Sequence, residues 1–273
     1  LLQRGSNTGK AVLRLSHPTT VVQALGTQTI TGGTGGLGLV TARWLADHGA
    51  FTIVLLSRGG ACTAGVHYDE LKTICNDVRV ERCSASELLD IGRLWTRTSG
   101  DTRGLWHAAG LTADGLLRVQ TATTLRQVYG PKAHGGWFIS AAYVTIPMTA
   151  FMMFSSNNGL MGGRGSANYA AANVCLDSLA VGRRANGREA LSVQWGPWGG
   201  VGMVGDGALA SMIEASGFTP IRCEVGMLAL QALLRPYMPS VSCLMLIKWA
   251  KVLGGLPQTP VFYSAFATQV KAA

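Results

Sequence analysis

Short, continuous apolar runs recur along the chain, separated by segments whose apolar residues return every three or four positions. The runs Thr27–Ile30, Thr52–Leu56, Val78–Arg82, Leu105–Ala108, Thr149–Phe154, Leu191–Gln194 and Cys243–Ile247 predict strands. Most are continuous rather than alternating in polarity, as in a parallel sheet covered on both faces. Helical periodicity fills 37–48, 67–75, 86–98, 119–129, 131–143, 166–186 and 224–235. Strand and helix alternating in this way predict right-handed crossovers and an α/β fold with a doubly wound parallel sheet. The first 26 residues do not follow the pattern and are expected to be the tail of an upstream subdomain. The sheet domain is expected over 27–250, and 251–273, beginning near "GGLPQTPVFYSAF", reads as a linker.

Composition narrows the classes. Of 273 residues 48% are hydrophobic and 14% charged, enough for a large buried core. No apolar run approaches the ~20 residues that span a bilayer. The start, "LLQRGSNTGK", is not a secretory leader. Six cysteines are scattered, with no Cys-x-x-Cys pair and no histidine at metal spacing. They read as reduced residues of a cytoplasmic protein, and no metal is expected. The formal charge is +9, yet the longest basic run is Arg183-Arg184, without interleaved aromatics. Nucleic-acid binding is therefore not expected. A dispersed basic surface suits a phosphorylated cofactor or an acidic protein partner.

Glycine-rich stretches at 32–38, 159–165 and 199–207 follow three predicted strands. All three fall at the carboxyl edge of the sheet, where open α/β folds bind ligands. The first, "TITGGTGGLGLVTARWLADHGA", has the spacing Gly32-x-x-x-Gly36-x-Gly38, which resembles the nucleotide loop of short-chain dehydrogenases. Glycine admits a pyrophosphate close to the backbone, and free N–H groups at the helix start favour its charge. The second strand ends in Ser57-Arg58 with no acid. A guanidinium there suits a 2′-phosphate, so NADPH is expected over NADH.

"SSNNGLMGGRGSANYAAANVCLD" places Tyr169 and Asn173 one helical turn apart. In short-chain dehydrogenases the second position is normally lysine. Five stretches, "TGGTGGLG", "LLSR", "LWHAAGLTADGLL", "FSSNNGLMGGRGSANYAAAN" and "LSVQWGPWGGVGM", resemble in order and spacing the ketoreductase domain of polyketide synthases and, more distantly, fatty acid synthases. The similarity covers about residues 27–250. It implies a Rossmann-like fold of the short-chain dehydrogenase/reductase type, and a fragment of a megasynthase with neighbouring domains. The activity it implies is NADPH-dependent reduction of a 3-oxoacyl thioester borne on the phosphopantetheine arm of an acyl carrier protein. In that family the lysine comes from the preceding helix, so Lys132 of "GPKAHGGWFIS" is the candidate and Asn173 takes the exchanged place.

The resemblance further implies that Ser156 binds the substrate carbonyl and Tyr169 donates the proton. Lys132 would lower the tyrosine pKa, and Asn173 would orient and replenish the proton through water. Cofactor contacts are implied at Gly32, Thr34, Gly35, Gly36, Leu37, Gly38, Ser57, Arg58, Ala109, Gly110 and Pro197. The segment after Trp198 is implied to close over substrate as a lid. Stereocontrol is implied at Asp114, retained from a Leu-Asp-Asp motif, and at position 161, which is Met and not Trp; both point to the D-3-hydroxy product. Departures from the family pattern are Ser84 in place of an Asp after the third strand, Asn157 and Asn158 after the serine pair, and Arg164 in a glycine turn. The alternatives are a non-reducing structural or epimerising domain, and a free-standing reductase of small ketones. The intact Tyr169, Ser156, Lys132 and Asn173 set speak against decay.

Overall fold

The computed structural model describes residues 26–62, 65–98, 100–201, 208–235, 237–254 and 256–271. The expected upstream tail, 1–26, lies outside these residues except for Gly26.

Strands β1 (Thr27–Thr31), β2 (Thr52–Ser57), β3 (Asp77–Arg82), β4 (Thr102–His107), β5 (Ala150–Ser156), β6 (Leu191–Trp195) and β8 (Val241–Leu244) form one parallel sheet in the order β3-β2-β1-β4-β5-β6-β8. Between them run α1 (Gly36–Asp47), α2 (Gly65–Ile74), α3 (Leu88–Thr98), α4 (Ala122–Tyr129), α5 (Gly135–Ala142), α7 (Ala167–Ala185) and α9 (Cys223–Leu233). This is the doubly wound Rossmann-like sheet that the apolar runs predict. Its order reverses between β1 and β4, which opens a crevice at their carboxyl ends.

Each face of the sheet is sealed by its own apolar cluster. Ile30, Ile53, Leu55, Met152 and Val193 pack under α1 with Leu39, Trp44 and Leu45, while Val54, Leu56, Leu105, Phe151 and Met153 pack under α3, α5 and α7. The interior strand β1, TQTIT, is fully buried yet mostly polar. Gln28 faces Gly104 in the β1–β4 register, and a Cβ at Gly104 would stand 1.7 Å from Gln28 Oε1. That space lets the amide oxygen accept from Trp106 Nε1 at 3.0 Å, so a buried polar group is satisfied.

Helix α7 carries the Tyr169 motif and is tied down along its length. Asp177 accepts from Ser192 Oγ at 2.6 Å and Gln194 Nε2 at 2.8 Å, bonding the helix to β6. Arg183 lies 3.7 Å over the Phe151 ring and donates to Ser140 Oγ at 3.0 Å. Such charge-assisted bonds contribute about 1.5–3 kcal/mol each.

The structure departs from the sequence expectation in three places. The helix expected over 131–143 opens as a π-helical turn, Gly130–His134, before α5 begins. Pro131 lacks an N–H, so regular α-helical bonding cannot run through it. The strand expected over Cys243–Ile247 breaks at Met245. Its first part joins the main sheet, while β9 (Leu246–Ile247) pairs antiparallel with β7 (Phe218–Thr219). The stretch that reads as a linker from 251 instead carries the end of α10 (Trp249–Gly254) and α11 (Ser264–Lys271), closed by Trp249 stacking on Phe266 at 4.1 Å. The sequence expectation also omitted two short helices, α6 (Asn158–Met161) and α8 (Ala208–Ala215).

Candidate active site

The carboxyl ends of β1, β2, β4, β5 and β6 border one cavity of about 1310 Å³. At one end stands the loop after β1. Gly32 has φ +64°, and a Cβ there would lie 2.9 Å from Ala109 Cα; a Cβ on Gly38 would lie 2.3 Å from Gly32 O. Only glycine fits either place. Gly35 and Gly36 are exposed toward the cavity, and α1 has neither a side-chain cap nor an acid in its first turn. Backbone N–H groups are thus open to an anion, a fit for a dinucleotide's pyrophosphate. Thr34, Leu37, Ser57, Arg58, Ala109, Gly110 and Pro197 line the same cavity.

At the other end the catalytic candidates converge from separate elements: Ser156 from the end of β5, Tyr169 from α7 and Lys132 from the π-helical turn. Lys132 is 3% exposed, a depth at which a lysine needs a reason. Its Nζ donates to Phe154 O at 2.8 Å and lies 5.2 Å from the Tyr169 ring centroid. Gly110 makes room for it, since a Cβ there would meet Lys132 Cε at 2.8 Å. Desolvation pushes the ammonium down to about 7, with Asp177 opposing.

Asn173 is fully buried on the same helix face as Tyr169 but does not line the cavity; its Nδ2 donates to Tyr169 O at 2.8 Å, and its Oδ1 has no partner. Ser156 Oγ donates to Asn157 Oδ1 at 3.4 Å and accepts from the Asn158 N–H at 3.2 Å. Its neighbour Ser155 also lines the cavity, its Oγ donating to Asn173 O at 3.4 Å. Asp114 lines the cavity, whereas Met161, at the end of α6, does not.

The Tyr169 phenol corrects one expectation. Burial pushes it up, Asn173 and Ser156 pull it partly back, and the Asp114 carboxylate adds to the rise. Desolvation outweighs the two hydrogen bonds at the buried ring. A raised value keeps the phenol protonated near neutral pH, the form that a proton donor needs.

A family model described as KR domain matches residues 26–200. The chain belongs to that family. This KR domain is 38% identical over 203 residues to polyketide synthase GfsB of Streptomyces halstedii, covering 73% of the chain and 4% of the relative. It is 35% identical over 216 residues to pikromycin polyketide synthase component PikAIII of Streptomyces venezuelae, covering 78% and 14%. Among solved structures, "Structure of A-type Ketoreductases from Modular Polyketide Synthase" superposes with a TM-score of 0.84 at 28% identity, covering 93% of this chain and 56% of that one. "The first ketoreductase of the tylosin PKS" gives 0.80 at 30%, covering 90% and 55%. The KR domain thus spans about half the length of these solved chains and a small part of the synthases.

Several supporting residues escaped sequence reasoning. His107 donates from Nε2 to Lys132 O at 2.9 Å, because a carbonyl can only accept. Its Nδ1 then accepts from Thr31 Oγ1 at 2.8 Å, and Thr31 Oγ1 accepts from the Ala109 N–H at 3.3 Å. Burial lowers the imidazole to about 4, so it stays neutral in this tautomer. The glycine loop after β1 is thereby bonded to the turn that bears Lys132. Asn168 Nδ2 donates to Ala113 O at 2.8 Å and Gln120 Nε2 to Gly115 O at 2.9 Å, holding the Asp114 loop against α7. Asp177 extends the Tyr169–Asn173 stripe by another four residues, a spacing visible in the sequence. Where the family's acid after β3 is Ser84, the Asp90 carboxylate from α3 accepts from the Ser84 N–H at 2.9 Å. The Ser57↔Arg82 register sets a second arginine beside the end of β2, absent from the sequence reading. The expected lid falls partly on 202–207, outside the described residues; α8, just beyond, contributes Met212 and Ile213 to the cavity wall.

Proposed function

We propose that this KR domain uses NADPH to reduce a 3-oxoacyl thioester, carried on the phosphopantetheine arm of an acyl carrier protein, to the D-3-hydroxyacyl form. On this reading it works in the cytoplasm among neighbouring synthase domains. The observation that carries the reading is the buried Lys132 ammonium beside Tyr169, at one end of a cavity whose other end is the glycine loop.

When bound, the nicotinamide supplies a hydride to the carbonyl carbon. Ser156 Oγ–H turns from Asn157 to the substrate oxygen and stabilises the charge developing there. Tyr169 gives its phenolic proton to that oxygen, leaving the alcohol. The Lys132 ammonium stabilises the phenolate so formed, and the unpartnered Asn173 Oδ1 offers an acceptor for the water that reprotonates it. Arg58, with no ion-pair partner among the described residues, takes the 2′-phosphate. Pro197 would border the nicotinamide. Asp114 on its anchored loop narrows one entrance to the acyl end, which selects the D alcohol, while Met161, partly exposed, stays off the cavity lining.

One experiment tests the whole reading: a 3-oxoacyl thioester surrogate is offered with NADPH or NADH, and the product is resolved by chiral chromatography. NADPH consumption with a mainly D alcohol is expected. Equal efficiency with NADH would remove the Arg58 assignment, and a mainly L product would overturn the role of Asp114. No turnover at all would favour the non-reducing alternative.

A further inference from the structure

Arg164 lies between Ser156 and Tyr169 in the chain and lines the cavity with them. The rest of its turn is glycine: Gly162 and Gly165 have φ of 75° and 73°, and a Cβ on Gly163 would stand 2.3 Å from Ser166 Oγ. Two bonds fix the turn. Asn158 Nδ2 donates to Ser166 Oγ at 3.1 Å, and the Gly115 N–H donates to Gly165 O at 2.7 Å. A braced backbone therefore presents one side chain.

That guanidinium is exposed and has no hydrogen bond or ion pair among the described residues, whereas Arg43, Arg79, Arg93, Arg97 and Arg184 are each paired with an acid. Four basic side chains line the cavity. Arg58 ends β2, Arg126 rides on α4 and Lys132 is buried. Of the four, only Arg164 lies on the segment joining the two reacting hydroxyls, and it is exposed. Five residues separate it from Tyr169, so their Cα atoms are at most about 18 Å apart. A pantetheine chain with its thioester at Tyr169 has a comparable reach.

We propose that Arg164 binds the phosphodiester of the phosphopantetheine arm while the thioester lies at Ser156 and Tyr169. The assignment rests on the carrier-bound substrate reading above. Guanidinium matches phosphate in a bidentate fork and sheds water readily. The cofactor's own phosphates would be held by the start of α1 and by Arg58 at the end of β2, with β1 and β4 between β2 and β5, which leaves Arg164 for the substrate's.

The NADPH-loaded domain is titrated calorimetrically with 4′-phosphopantetheine and with pantetheine. The phosphorylated arm is expected to bind roughly three- to tenfold more tightly, the effect of one charge-assisted contact at an exposed site. Arg164→Gln is expected to bring the ratio to about one, and Arg164→Lys to hold it between. The ratio is taken on a single sample, so a misfolded fraction cancels. Equal binding by the wild type, or a preference that survives Arg164→Gln, overturns the proposal. The same arms are then compared as 3-oxobutyryl thioesters, where the KM ratio should follow the binding ratio. A wild type that prefers the phosphorylated arm but reduces neither thioester sinks the reductase reading and leaves the arginine assignment standing. A preference seen only when the thioester is borne on the carrier protein, and lost in Arg164→Gln, overturns the proposal by assigning the guanidinium to that protein's surface.

Discussion

At the cofactor end the cavity wall is mostly backbone, shaped by glycines that meet carbonyls and Cα atoms of neighbouring loops. At the acyl end it is side chains that arrive from the end of β5, the π-helical turn and α7: Lys132 is held by the Phe154 carbonyl, Ser156 by its neighbours Asn157 and Asn158, and α7 by β6 through Asp177. A backbone-built site tolerates no added atom but asks little of its surroundings. A side-chain-built site tolerates small changes of shape but fails when one proton or charge is missing. The two ends should therefore break in different ways.

The largest effect is expected from Tyr169→Phe, which removes a proton and almost no volume. Turnover of the thioester surrogate should fall by about 10²–10⁴-fold, the usual worth of a positioned acid. The fold and NADPH binding should persist. Equal NADPH consumption by both proteins would refute the mechanism.

Lys132→Met separates charge from packing. In the folded protein the lysine titrates at about 7 rather than 10.5. Between those values the unfolded chain holds a proton that the folded one has released, so wild-type stability rises with pH across this window. Below pH 7 the full cost of burying the ammonium is present. Urea midpoints should show the Met variant more stable than the wild type at pH 6.5, with the gap narrowing by pH 9.5, and inactive at both. A gap that does not change with pH would mean that Lys132 is not desolvated.

Gly38→Ala tests the backbone-built end. The new Cβ would press on Gly32 O, and overpacking of this kind costs roughly 1–3 kcal/mol. NADPH affinity should fall with stability, since the loop itself has to shift. Unchanged affinity would mean that the loop does not shape the cofactor site.

The smallest effect is expected where the two ends are joined. His107→Gln can still donate to Lys132 O and accept from Thr31, so it should lose less than His107→Phe, which strands both partners at about 1–3 kcal/mol. A downward shift of the pH–rate midpoint in the Phe variant but not in Gln would separate a positioning role from a packing one.

This contrast also explains what could be read from the residues alone. Glycine spacing after β1 is local, so the tight glycine loop was legible, as were the apolar runs that became the parallel sheet. Tyr169, Asn173 and Ser156 sit within eighteen positions of one another and share motifs. Lys132 was found only through family resemblance, because no local pattern says that a lysine will be folded inward. His107 and Asn168 act through partners tens of residues away and left no periodic trace, and Gln120 was hidden because its partners are the Gly115 carbonyl and Asn168. The break at Met245 was missed because Cys243–Ile247 is one apolar run; tertiary pairing, not propensity, divides it.

β1, an interior strand with neighbours on both edges, is also the first of the sheet's strands to be made. During synthesis β1 waits about 25 residues for β2 and about 75 for β4, which at roughly 5–20 residues per second leaves its second edge open for ~4–15 s. An apolar strand waiting that long would be a template for misassembly between nascent chains. Here the waiting strand is Thr-Gln-Thr-Ile-Thr, the least oily of the buried ones. In the finished sheet Trp106 takes the glutamine while the Thr29 hydroxyl has no partner, so the polarity carries a cost there; on the nascent chain it would blunt misassembly. Exchanging its threonines for valines would be felt first as aggregation of newly made protein, before any change in the folded domain.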